Sequence, residues 1–175
     1  MSLVWAFDLE MNQPSGLIIE LGGCIGDIST GEIVDTFSHL TQIPELLNPY
    51  ITQLTTITSD MMQQSIPLDE AYADMKKRLD KYHPLHMPIT WGSGDLWALK
   101  KQVSKPIKIR TELNLKCVHQ ALQLSKGLPI KGGLATAMAG YGLQFTGVPH
   151  RAMDDAINTF LLASKINQGL KGTLF

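Results

Sequence analysis

Leu3 to Leu9 is nearly all apolar, Ile18 to Ile28 is rich in isoleucine and glycine, and Glu32 to Leu40 alternates apolar with polar residues. Three such runs in succession read as strands, and Ser29-Thr30-Gly31 supplies the turn that makes a hairpin of the last two. The chain therefore begins as an antiparallel meander. Leu54 to Gln64 and Leu68 to Tyr82 read as helices; in the second, Leu68, Ala71, Tyr72, Met75 and Leu79 share one face, with Lys76, Lys77 and Arg78 in the C-terminal half. Met87 to Trp91 reads as a fourth strand, broken by Gly92-Ser93-Gly94 before a helix from Asp95 to Val103. Ile107 to Arg110 is a candidate fifth strand, and Leu115 to Leu124, Leu134 to Tyr141 and Ala152 to Asn167 complete the helices. The class is α/β.

At 175 residues, with no repeat or linker, 1–175 is expected to be a single domain with a core of its own. No apolar stretch approaches the roughly 20 residues that span a bilayer. The start, MSLVWAFDLE, lacks a basic region and a small-residue cleavage site, which reads as mature cytoplasmic sequence. Cys24 and Cys117 are too few for a disulfide framework and lack metal-binding spacing, so both are expected to be reduced. A formal charge of -1 argues against gripping nucleic acid by bulk electrostatics. A polyanion would be held locally, for example through bound cations.

The chemistry-bearing residues are few. In a strand, residues two apart share a face, so Val4, Ala6, Asp8 and Glu10 line one side while Trp5, Phe7 and Leu9 line the other. Two carboxylates then sit together at the end of an apolar face, where repulsion and desolvation call for protons, basic partners or a cation. Hard divalent ions such as Mg²⁺ favour such ligands; a strand that simply ends there, with both acids solvated, has the same motif. Asp95 follows a strand end, where functional residues of open sheets collect, but an Asp after Gly-Ser-Gly equally suits a helix N-terminus. Trp91 and Trp97 nearby read as packing residues in preference to platforms for bases.

In GVPHRAMDDAINTF, Pro149 leaves His150 at the mouth of a helix. Ala152, Asp155, Ala156, Thr159 and Ala163 form a small-residue stripe able to approach the sheet, which makes Asp155 the ligand candidate. Asp154 falls with Asn158 and Lys165 on a more polar side, as a favourable first-turn charge.

FDLE, the Asp95 of TWGSGDL, and HRAMDD resemble the acidic motifs of the DnaQ-like, DEDDh-type 3′-to-5′ exonucleases. The likeness continues through IIELGG, TGEIVDTF, LTTIT and LPIKGGLATAMAGYGLQFTGVPHRAMDDA, covering nearly the whole chain in order, and is greatest for the ERI/KapD-like branch. It implies an RNase H-like fold, with a central mixed five-stranded sheet flanked by helices, and 3′-to-5′ hydrolysis of single-stranded RNA or DNA to nucleoside 5′-monophosphates. It also implies two Mg²⁺ or Mn²⁺ ions, in two-metal sites roughly 3.5 to 4 Å apart, stabilising the attacking and leaving oxygens. Asp8 would bridge both ions, Glu10 and Asp155 would complete one site, Asp95 would hold the second ion, and His150 would act as general base. Met11 and Trp91 stand where many proofreading subunits have Thr and Asn, which points to an exonuclease acting outside a polymerase.

Around this set, Glu20 in IIELGG is expected to make a structural pairing. Met11 and Asn12 are candidate contacts to the terminal nucleotide, and Leu54, Thr55, Ile57 and Thr58 match the family segment that packs beside it. Lys100, Lys101, Lys105, Lys108 and Arg110 form the conspicuous basic cluster, a solvated face or a guide for a phosphate backbone. The competing functional readings are an RNase H-like endonuclease and a non-catalytic nucleic-acid-binding or interaction module. The tail from Gly169 to Phe175 could dock on its own domain or on a partner, so both monomer and homodimer stay open.

Overall fold

A computed structural model describes residues 2–85, 87–130 and 132–174, of which 171–174 are described by their backbone alone. Its five-stranded sheet has the order β3-β2-β1-β4-β5. β1 (Leu3–Met11), β2 (Ile18–Asp27) and β3 (Ile33–Leu40) pair antiparallel. β4 (Ile89–Thr90) runs parallel to β1, and β5 (Leu113–Asn114) runs parallel to β4. The mixed sheet and its leading meander match the expectation from the sequence.

β1 and β2 are mostly apolar because both faces are covered. Trp5, Phe7 and Leu9 pack with Ala71, Tyr72 and Met75 of α3 (Leu68–Tyr82) and Leu96 and Leu99 of α4 (Asp95–Gln102). Val4 and Ala6 pack on the opposite face with Ala137 and Met138 of α6 (Leu134–Gly140) and Ala156 and Phe160 of α7 (Ala152–Leu174). Burying each of the larger aliphatic and phenylalanine side chains among these contributes about 1.5–3 kcal/mol. Gly22 decides how closely the layers approach: a Cβ there would lie 2.2 Å from the Met153 backbone nitrogen, so the first turn of α7 rests directly on β2. Gly22 pairs with Asp8 in the sheet register, and this contact brings the start of α7 over the acidic end of β1.

Several boundaries differ from expectation. The single helix expected over Leu54–Gln64 is two, α1 (Pro49–Thr55) and α2 (Ser59–Met62). Pro49 and the Asn48 side chain, which accepts from Tyr50 N, start α1 earlier. Thr56, at φ 63°, ends it, and the Thr58 hydroxyl caps α2 by accepting from Met61 N. Ile107–Arg110 is not a strand; Ile107 and Ile109 pack against the core beneath α3 without joining the sheet, and the fifth strand is Leu113–Asn114. The fourth strand shortens to Ile89–Thr90, and α7 runs beyond Asn167 to Leu174, while Phe175 lies outside the described residues. α5 spans Leu115–Ser125.

Cys24 and Cys117 are free thiols; Cys24 is fully buried, and burial pushes its pKa up to about 12. Among the described residues no helix is long and apolar enough to cross a membrane.

Candidate active site

The end of β1 carries Asp8 and Glu10 toward the α7 side of the sheet, the face that holds Val4 and Ala6. Opposite Glu10 in the register stands Glu20, fully buried. Its carboxylate accepts from Arg151 Nη2 at 2.8 Å and from Arg151 Nε, and also from Ala152 N at 3.0 Å and Ser38 Oγ at 3.0 Å. The structural pairing expected for Glu20 is thus present, and it ties the residue after His150 to the middle of the sheet. Breaking a fully buried pair costs about 3–5 kcal/mol. Arg151 is 23% exposed at its side chain, so Arg151→Ala is expected to cost a discounted figure of about 2–3 kcal/mol in urea unfolding. An unchanged urea midpoint would refute that role.

α7 holds the loop before it through its own first turns. Asp154 Oδ2 accepts from Val148 N at 2.8 Å, and Asn158 exchanges hydrogen bonds with both backbone groups of Thr146. His150 takes a positive φ of 61°, donates its backbone N–H to Asp155 Oδ2 at 3.0 Å, and remains exposed. Ala152, Ala156, Thr159 and Ala163 are buried against the sheet, as the small-residue stripe requires. The result is a cluster in which ligand atoms of Glu10, His150 and Asp155 all lie within 4.8 Å of one another.

Asp95 comes from the other side. Gly92-Ser93-Gly94 bends the chain after β4, with Gly94 at φ 113°, and Asp95 is the first residue of α4. Capping is done elsewhere: Glu112 accepts from Gly94 N at 2.7 Å and from Leu96 N at 2.9 Å. Glu112 therefore occupies the open N–H groups that an aspartate at a helix start would otherwise serve. The sequence reading missed it, because nothing local marks a glutamate 16 residues beyond Leu96 as that helix's cap.

The carboxylates oppose one another electrostatically. Burial, followed by the charges of Asp95, Glu10, Asp155 and Glu20, raises the pKa of Asp8 well above the ordinary aspartate value. Glu10 is pushed up to about 8, first by burial and then by Asp155, Glu20 and Asp95, with Arg151 lowering it. Asp95 rises to about 6 through burial and Glu112. Asp155 also rises to about 6, mainly through burial, against the lowering effect of the His150 N–H. The nearest guanidinium is already committed to Glu20. An all-oxygen carboxylate set with this much uncompensated charge, flanked by one imidazole, fits hard divalent cations such as Mg²⁺ or Mn²⁺.

An exonuclease family model, RNase_T, matches residues 5–163, from the strand that carries the acids to deep within α7. The chain belongs to the RNase_T exonuclease family. Mouse ERI1 exoribonuclease 2 is 26% identical over 176 residues, which cover 85% of this chain and 25% of that protein; this RNase_T chain thus spans about a quarter of its relative's length. In fold it is similar to the nuclease domain of 3′hExo, a DEDDh family member solved with rAMP. That likeness has a TM-score of 0.79 and 19% identity, over 96% of this chain and 92% of the other. The cell-death related nuclease 4 (CRN-4) is similar at a TM-score of 0.81 and 18% identity, over 97% and 65% of the two chains. The RNase H-like fold and the resemblance to DEDDh exonucleases of the ERI branch hold.

The remaining candidates of this RNase_T chain divide. Met11 lines a cleft beside Asp95. Asn12 is 1% exposed and its amide is engaged by Glu45 Oε1, Leu46 O and Asn48 N. Thr55 is fully buried, with its hydroxyl donating to Ile51 O and accepting from Ile57 N. Contacts from Asn12 or Thr55 side chains to a nucleotide would require those bonds to be exchanged, whereas Leu54 is part-exposed and Thr58 exposed. Of the basic cluster, Lys101 lines the cleft beside Asp95, while Lys108 lines a separate cavity beneath α3 with Trp5 and Tyr72. Trp97 is 62% exposed, which corrects its reading as a packing residue.

Proposed function

We propose that this RNase_T domain is a divalent-metal-dependent 3′-to-5′ exonuclease that removes nucleoside 5′-monophosphates from single-stranded ends. The observation that carries this reading is the convergence of Glu10, His150 and Asp155 within 4.8 Å, next to an Asp8 whose ionisation is opposed by all the neighbouring acids. Two Mg²⁺ or Mn²⁺ ions held by Asp8, Glu10, Asp95 and Asp155 would supply Lewis-acid stabilisation of the charge on the attacking and leaving oxygens.

The chain's own residues do the rest. His150, exposed beside Glu10 and Asp155 and fixed by its backbone bond to Asp155, accepts the proton of the attacking water. Asp154 and Asn158 fix the loop that presents it, and the Glu20–Arg151 pair fixes the residue that follows. Met11 and Leu54 offer apolar contacts to the terminal nucleoside, together with the backbone near Asn12, Thr55 and Thr58. The relative named an exoribonuclease and the neighbour solved with rAMP support RNA as the substrate, with DNA as the alternative. Residues 1–175 would act as one unit, as monomer or homodimer, and the free cysteines suit a reducing compartment such as the cytoplasm.

Matched 3′-labelled and 5′-labelled single-stranded RNA and DNA, followed over time in Mg²⁺ and in Mn²⁺, test the proposal. Mononucleotides released at once from the 3′ label support it. Internal fragments would make the domain an endonuclease, and intact substrate bound without turnover would make it a binding module.

Linkage gives an independent check. Folded-state pKa values above the unfolded ones mean that the folded protein retains protons the unfolded chain has released. Stability contributed by protonated Glu10, Asp95 and Asp155 is therefore present near pH 4 and lost as pH rises to between about 6 and 8. The metal-free protein is expected to melt at a lower temperature at pH 8 than at pH 5, and millimolar Mg²⁺ or Mn²⁺ to raise the Tm more at the higher pH. A Tm independent of pH, or an equal metal effect at both, would contradict this.

A further inference from the structure

The cleft that Asp95 and Met11 share extends away from the acids between α4 and the β1–β2 turn, as a cavity of about 550 Å³. Its outer wall is Trp97, with the Lys101 ammonium 3.7 Å from the centre of the indole ring, one helical turn further along α4. The opposite wall is held in place by Gln102, which donates to Gly16 O at 3.0 Å and accepts from Ile18 N at 3.0 Å. A large aromatic residue left 62% exposed gains little from packing, yet this one borders a fixed groove that opens onto a proposed metal ligand.

We infer that Trp97 and Lys101 form a subsite for the single strand immediately 5′ of the nucleotide being removed, with Trp97 stacking on a base and Lys101 pairing with a phosphate. The inference rests on the exonuclease reading above and extends it to the part of the substrate that is not cleaved. Charge and shape both select this occupant. An indole face takes any of the four bases; the Lys101 ammonium lies over one face of this ring, so stacking falls to the other face while the ammonium is left to pair with a phosphate. A base held in a duplex cannot leave its stack to meet the indole, so the subsite also favours single-stranded ends. The basic cluster then has two parts, with Lys101 at the substrate and Lys108 on the α3 side.

The test compares kcat/KM for a single-stranded decamer with that for thymidine 5′-(p-nitrophenyl phosphate), which carries one nucleoside and has no upstream base. Trp97→Ala is expected to reduce the ratio of decamer to ester about tenfold, chiefly through KM for the decamer, with Trp97→Phe recovering most of it. Lys101→Ala is expected to make the slope of log kcat/KM for the decamer against log salt shallower by about 0.7. Added decamer should also quench tryptophan fluorescence in Asp8→Asn protein, and Trp97→Phe in that background should lose the quench.

An unchanged ratio in Trp97→Ala overturns the subsite while leaving the exonuclease intact. Equal losses in Trp97→Ala and Trp97→Phe overturn stacking in favour of a structural role, as does a fall in kcat alone. If wild-type protein cleaves neither substrate, the exonuclease reading fails and this inference fails with it.

Discussion

Asp8→Asn is expected to lower the rate of 3′-end hydrolysis by about three orders of magnitude or more while raising the melting temperature of the metal-free protein. The first part follows from ligand chemistry: changes outside the ligand shell of a metal site already cost about 10–100-fold, and Asn removes a charged donor from the centre of the proposed set. The second part follows from the electrostatics. Burial and four neighbouring acids all disfavour the Asp8 carboxylate, so a neutral isostere relieves repulsion without leaving a cavity. Inactive protein with a raised Tm at neutral pH is the expected pair of results. Activity within tenfold of wild type would remove Asp8 from the ligand set, and a lowered Tm would show that its charge is compensated in the fold.

His150→Asn is the second large effect. Removing a general base costs about 10²- to 10⁴-fold in kcat. Asparagine is the informative replacement because His150 has φ 61°, a region that asparagine tolerates better than most side chains. The backbone N–H to Asp155 is also retained, so the loop keeps its tether. The expected result is a lowered kcat, an unchanged KM, and a Tm that still rises on adding Mn²⁺. His150 lies close enough to Glu10 and Asp155 to be a ligand itself. Loss of the metal-induced Tm rise together with activity would assign it to the metal site instead of to proton transfer.

How legible these residues were depended on whether their signal was local. Asp8 and Glu10 could be placed because a strand puts residues two apart on one face. Asp155 could be separated from Asp154 because α7 needed a small-residue stripe against the sheet, and Ala152, Ala156 and Ala163 are buried there. Asn158 was placed on the polar side of that helix, yet it is fully buried, its amide holding Thr146. Helical spacing gave its direction but not the loop folded over it. The α1–α2 break was missed for a related reason: Thr56 at φ 63° and the Thr58 cap leave little mark on a sequence that keeps helical periodicity.

The sequence by itself determined the leading three-strand meander, the shared face of Asp8 and Glu10, and the family. Each depends on periodicity or on motifs in order along the chain. Only the tertiary structure decided that Glu112 caps α4, that Asn12 is engaged by the 45–48 loop, that Ile107 and Ile109 pack without joining the sheet, and that Trp97 stands in the open. Those outcomes are settled by competition among distant partners for the same hydrogen-bonding groups and the same buried surface. The types and spacing of neighbouring residues do not encode which partner wins.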